Sequence, residues 1–208
     1  MNAIVAAGLK YLLYFILLYG TLTGISLIPQ VGALANNIYR QPTEVILKGL
    51  LPKAYLKLKA DQNKPDVIRI EYASKKELKE QSRLSRVNGR PLQVKGKITE
   101  VKFYNLFLSF YLFFVALMVL SPIPKKEMLI GLTAGTLLFY LFTVFKVTLS
   151  LIVLFNQPDA QIYQTNKVLL DIYSGILYYL TLGVKILVVL LLWMLFAFRK
   201  NNWQQLLQ

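Results

Sequence analysis

Lys146 and Lys185 lie inside apolar runs that are otherwise built to cross a membrane. An ammonium at such depth costs about 2.5–3.5 kcal/mol on insertion scales, so it faces a bundle interior or a wet cavity. Other polar-capable residues recur with them. Asp171, Ser174, Tyr178, Thr181 and Lys185 follow one another at spacings of three, four, three and four, the spacing of one face of a continuous helix. Thr136, Thr143, Lys146 and Ser150 form a shorter stripe in the preceding run. Consecutive antiparallel helices are neighbours. The two stripes are therefore expected to face each other across a polar cavity.

Three chemistries suit such ammonium groups. Each lysine can snorkel to an interface while the nearby hydroxyls bond back to their own carbonyls. It can meet an acidic residue of a partner subunit, since polar groups join helices in membranes. Or it can hold an anion, a lipid phosphate or a carboxylate. The apolar runs contain no acid at matching depth, and like charges close together favour a bound anion or a lowered pKa. A desolvated lysine can also serve as base or nucleophile. That needs a partner set, and neither a Ser–Lys pattern in a strand–turn setting nor paired intramembrane carboxylates accompany it here.

The chain has no cysteine and no histidine. That excludes disulfides, thiolate nucleophiles, Cys/His zinc sites and His-based triads. The expectation is a protein that is not an enzyme, with no catalytic residue, cofactor or metal. Its anion- or partner-binding set comprises Lys146, Thr143 and Ser150 in one run and Lys185, Thr181, Tyr178, Ser174 and Asp171 in the next.

The elements that must position these residues are apolar blocks. The 208 residues are 56% hydrophobic with a mean hydropathy of +0.49, and the apolar residues are concentrated in long runs, which is the membrane class. Residues 1–28 are read as transmembrane helix 1, a retained anchor whose apolar core is Tyr11 to Ile28. Its uncharged start and missing cleavage site argue against a signal peptide. Residues 29–52 form an interfacial segment with Ile46, Leu47, Leu50 and Leu51 at helical spacing. Residues 104–121, 128–155 and 173–198 are expected to be transmembrane helices 2, 3 and 4. The fold class is thus a mainly α membrane protein, a four-transmembrane-helix bundle with a small α+β extramembrane module between helices 1 and 2.

That module, 53–103, carries 14 Lys or Arg against six acids. Period-two alternation at 55–59, 68–72 and 92–94, with an Asn88-Gly89 hairpin signal, predicts about four strands. Ser74 followed by Glu77 reads as a capping box opening a short helix. Lys75, Lys76, Lys79, Arg83 and Arg86 place a charge on nearly every turn of it. The net charge of +14 fits anionic membrane head groups better than nucleic acid, because interleaved aromatics for base stacking are absent there.

Four spans put both termini and the Lys125-Lys126 turn on one side, with Lys10, Arg199 and Lys200. The opposite 156–172 loop has Lys167 against Asp159 and Asp171. The positive-inside rule then predicts cytoplasmic termini and a module outside the cytoplasm. The module's own basic residues run against this, but it is longer than the loops the rule governs.

The layout of anchor, β-containing module and three further spans resembles the small accessory membrane proteins that accompany bacterial exosortases. The stretch LSPIPKKEMLIGLTAGTLLFYLFTVFKVTLSL carries the comparison. The resemblance implies a bacterial inner-membrane protein beside a membrane protease-transpeptidase, without catalytic residues of its own. The leading expectation is an accessory or assembly subunit, in contact with anionic lipid and with a membrane-protein partner or a second copy. A stand-alone binder of lipid or a lipid-linked substrate, and a self-assembling pore lined by the two stripes, are the alternatives.

Overall fold

The computed structural model describes residues 3–61, 64, 66–88, 96–181 and 183–198. The chain is mainly helical with one small sheet. Its order is α1 (Ala3–Ser26), α2 (Pro29–Leu50), β1 (Ala54–Ala60), β2 (Val67–Ser74), α3 (Lys75–Asn88), β3 (Lys97–Lys102), a π-helical turn (Tyr104–Leu108), α4 (Ser109–Leu120), α5 (Lys125–Phe155), α6 (Lys167–Thr181) and α7 (Val184–Ala197). It divides into two compact units. One comprises Met1–Val31, Tyr104–Thr143 and Leu180–Gln208, the other Gly32–Phe103 and Val144–Tyr179.

Among the described residues two helices are long and apolar enough to cross a membrane. They are Gly8–Ser26 of α1, with a mean hydropathy of 1.3, and Lys125–Phe155, with 2.3. The α6–α7 pair is a third candidate if it acts as one broken span, and Tyr104–Leu120 is apolar but shorter. The four expected spans therefore become two to three candidates.

The expected fourth helix, 173–198, is not continuous. Gly183 takes φ 93°, left-handed backbone that glycine adopts freely and that costs other residues about 1–2 kcal/mol. The helical ladder stops at Thr181 and restarts at Val184. Helix α6 also begins at Lys167, inside the segment expected to be a polar loop.

The first unit is held by aromatic and small residues. Helix α4 packs on α1 and on α7. Phe113 meets Phe15 and Tyr19 edge-on, at centroid distances of 5.2 and 5.8 Å, a favoured geometry for aromatic pairs. The fully buried Phe114 ring fills the space beside Gly135, where any Cβ would fall within it. Close approach over small residues is how membrane helices gain packing contacts. The Trp193 indole donates to Ser121 Oγ at 2.7 Å, and that hydroxyl donates to the Leu117 carbonyl.

The second unit is built on an antiparallel sheet in the order β1-β2-β3. Leu56 and Leu58 of β1 point inward while Tyr55, Lys57 and Lys59 point out, the period-two pattern expected of a half-buried strand. The central strand sets Ile70 opposite Leu58 and Thr99. Arg69 ties Asp61, at 2.7 Å, to Glu100. Among the described residues there are three strands, where about four were expected over the whole module. The 92–94 alternation and Gly89 lie outside the described residues, and β3 was not anticipated.

Helix α2 runs for 22 residues, longer than the short interfacial helix expected. Its inner face carries buried Asn36, Tyr39, Thr43 and Leu47, and Tyr39 packs on Phe103 at 5.3 Å. Its outer face leaves Leu34, Ile38 and Val45 exposed. At the sheet's β1 edge, Arg40 Nη1 donates to the Leu58 carbonyl at 2.7 Å, and the Leu58 N–H donates to Glu44 Oε2 at 3.0 Å. Two side chains one helical turn apart thus occupy both backbone groups that Leu58 turns away from β2. This blunts an edge that would otherwise template another strand. On the other side, Tyr72 packs on Phe155, which stacks on Tyr163. Burial first, and then the Asp159 charge, push the Tyr72 phenol above its usual range.

Candidate functional site

Residues 104–108 wind as a π-helical turn. Such turns are rare and occur mostly as single-turn insertions, often at functional sites. Lys185, second residue of α7, donates from Nζ to the Asn105 carbonyl at 2.7 Å. The same ammonium lies 4.6 Å from the Phe110 ring centroid. Lys185 was expected to lack a partner in this chain, and that expectation is corrected. A backbone carbonyl and an aromatic face meet the ammonium, and both are accepted partners for a cation at membrane depth. One turn along, Ser109 Oγ and the Tyr19 hydroxyl share a hydrogen bond of 3.1 Å. The first unit thus contains a short polar seam on α4.

The stripes divide differently from the sequence pattern. Thr143 is buried and its hydroxyl donates to the Tyr140 carbonyl at 2.8 Å; Thr136 donates to Leu132 at 2.6 Å. These hydroxyls serve their own helix, as in the snorkelling reading. Lys146 is half-buried and Ser150 exposed. On α6, Asp171, Ser174, Tyr178 and Thr181 are all exposed, and no residue of that helix is buried. Helix α6 ends at Thr181 and Lys185 stands on α7, so the five residues do not lie on one continuous helix. Lys146 and Lys185 belong to different compact units.

The second unit has a different polar feature. A cavity of about 710 Å³ is lined by Lys53, Ser74, Lys75, Lys76 and Lys79, with Gln161, Ile162 and Gln164 opposite. Among the described residues its walls hold four lysines and no acid. Among the described residues none of the four makes an ion pair. The strand-to-helix junction is fixed by the Lys75 N–H, which donates to the Lys53 carbonyl at 3.0 Å. Lys53 also lays its ammonium 5.6 Å from the Tyr163 ring centroid, while its N–H donates to the Tyr163 hydroxyl at 3.3 Å. The far wall turns at Gln161, whose φ of 44° is left-handed. Non-glycine residues in that region carry strain that tends to accumulate at functional sites.

Lys75, Lys76 and Lys79 were visible in the sequence as a charged helical face. Lys53, Gln161 and Gln164 were missed, because some 110 positions separate the two walls and no local pattern links them. Among the described residues, no group of His, Cys, Asp or Glu side chains is placed to hold a metal ion. No protein-family model, curated protein or solved structure matches this chain.

Proposed function

We propose that the protein is a non-catalytic accessory or assembly subunit of a membrane complex. In this reading it is a four-pass protein of the bacterial inner membrane, with Tyr104–Leu120 and the α6–α7 pair each serving as a span. Its termini are cytoplasmic and its sheet-bearing module lies outside. The likeness of layout to exosortase-associated accessory proteins points the same way.

The observation that carries the proposal is α6. Its polar residues Asp171, Ser174 and Tyr178 are exposed, and so are Val168, Leu169, Ile172 and Ile176 beside them. A carboxylate and hydroxyls on a helix of a membrane protein are costly unless another protein surface or water covers them. A partner helix offering a cation or hydroxyls would satisfy them. Purification in mild detergent should yield a stoichiometric partner or a homo-oligomer, and Asp171→Leu with Ser174→Leu should dissociate it. A clean monomer whose behaviour the double variant leaves unchanged would overturn the reading. Probing a tag beside Asn88 for accessibility in intact cells tests the orientation.

A second reading, a binder of lipid or a lipid-linked substrate, is favoured by the lysine-lined cavity alone.

A further inference from the structure

We infer that the cavity walled by the start of α3 and the 161–164 segment is a binding site for a phosphate-bearing group. It lies wholly within the second unit and stands independently of the partner proposed for α6. Its volume, about 710 Å³, falls within the range of about 300–1,000 Å³ usual for small-molecule pockets.

The charge distribution is the main argument. Lys53, Lys75, Lys76 and Lys79 converge on one concavity with no acid among the described residues of its walls. The same unit pairs basic groups elsewhere, Lys59 with Glu71 and Lys48 with Glu44. The fold therefore has the means to neutralise lysines and leaves these four unneutralised. Lys75 and Lys76 also stand in the first turn of α3, where the helix dipole disfavours cations. Lys53 is met by the Tyr163 ring and Glu77 shares the first turn of α3, but among the described residues Lys75, Lys76 and Lys79 gain no ion pair from this arrangement. A bound anion removes both penalties.

The chemistry of that anion follows from the count. One carboxylate would leave three ammonium groups facing one another, whereas a phosphate ester or pyrophosphate brings two or more charges and several acceptor oxygens for lysine donors. The remaining polar lining is neutral. Among the described residues the Ser74 hydroxyl makes no hydrogen bond, so the capping box expected at this helix start is not closed. Ser74, Gln161 and Gln164 are suited to the hydroxyls of a glycerol or sugar attached to the phosphate. Gln161, held at φ 44°, is the strained residue of that wall, consistent with strain kept for positioning.

The test is calorimetric titration of the full chain in neutral detergent, with inorganic pyrophosphate and with dihexanoyl phosphatidic acid as probes. At least one should bind. Lys76→Gln with Lys79→Gln should weaken binding at least tenfold, while Lys57→Gln, an exposed lysine of β1 outside the cavity, should change it less than twofold. Gln161→Gly separates folding from binding, since it should raise the thermal midpoint by relieving the strained φ and still weaken the probe. Binding of the lipid alone assigns a lipid head group, and binding of pyrophosphate as well or instead assigns a free phosphate compound. No heat from either probe, or equal losses in Lys57→Gln and the double variant, would overturn the site. Co-purification of a partner in the double variant would leave the accessory reading intact whichever result is obtained.

Discussion

Lys185 reaches across 80 positions of sequence to donate to the Asn105 carbonyl at 2.7 Å. The contact joins α7, immediately after its glycine break, to the π-helical turn that opens α4. Each irregularity supplies something to the other. Gly183 starts a new helix with the lysine near its beginning, and the π-turn presents a carbonyl to be met. The lysine is thus a tie between two helices of one unit.

Replacing Lys185 with Leu should therefore destabilise the fold. A hydrogen bond from a charged group contributes about 1.5–3 kcal/mol and a cation–π contact about 0.5–1 kcal/mol at exposed sites. Solvent and lipid access to the pair reduces this, giving an expected loss of about 1–2 kcal/mol. Thermal unfolding in detergent should show a lowered midpoint for Lys185→Leu and a smaller drop for Lys185→Arg. Equal midpoints for Lys185→Leu and the parent would remove the tie from the account.

The Arg40–Glu44 clamp on Leu58 gives a pH-dependent prediction. Burial raises the Glu44 pKa, but the Lys48 hydrogen bond, the Leu58 N–H and the charges of Lys48 and Arg40 outweigh it, leaving the carboxyl below its ordinary value of 4.5. A depressed carboxyl contributes stability that is present above its unfolded pKa and lost as pH falls through the folded one. Stability from this group should hold at neutral pH and decline below about pH 4.5. Glu44→Gln keeps an acceptor for Leu58 and should flatten that acid limb. Glu44→Ala should cost about 1–2 kcal/mol at pH 7 by orphaning the Leu58 N–H. Acid-induced loss of sheet signal, followed by circular dichroism, checks both.

Much of this was readable in the chain, and what was not has physical causes. Strands β1 and β2 announced themselves because one face of each is buried. The exposed Ile98 and mixed burial of β3 blur its alternation. Lys185 was flagged as a cost, but its partner is a main-chain carbonyl, which has no side-chain signature. Gly183 was in plain view. A single glycine costs a helix only about 1 kcal/mol, so an apolar run containing one still reads as a continuous span. The helix that carries the stripe runs to Thr181 and is interrupted before Lys185. The lysine-lined cavity was half legible, because its helical wall is local and its other wall comes from the loop after α5.

Gly135 provides the sharpest test of the packing in the first unit. A Cβ at this position would meet the Phe114 ring on three of its carbons, and Phe114 is fully buried. A ring cannot swing aside as the end of a flexible chain can, so the helices must separate or the ring must leave its rotamer. Overpacking of this kind costs about 1–3 kcal/mol. At Gly131 the nearest atom is the methyl at the end of the flexible Met118 chain, which can yield, and the Phe196 Cβ at 3.0 Å needs to give by only a few tenths of an ångström. Gly135→Ala should therefore lower the thermal midpoint in detergent more than Gly131→Ala does. Adding Phe114→Leu should restore part of the Gly135→Ala loss, since the smaller side chain vacates the space the new methyl needs. A double variant no more stable than Gly135→Ala alone would mean that α4 and α5 do not meet over this glycine.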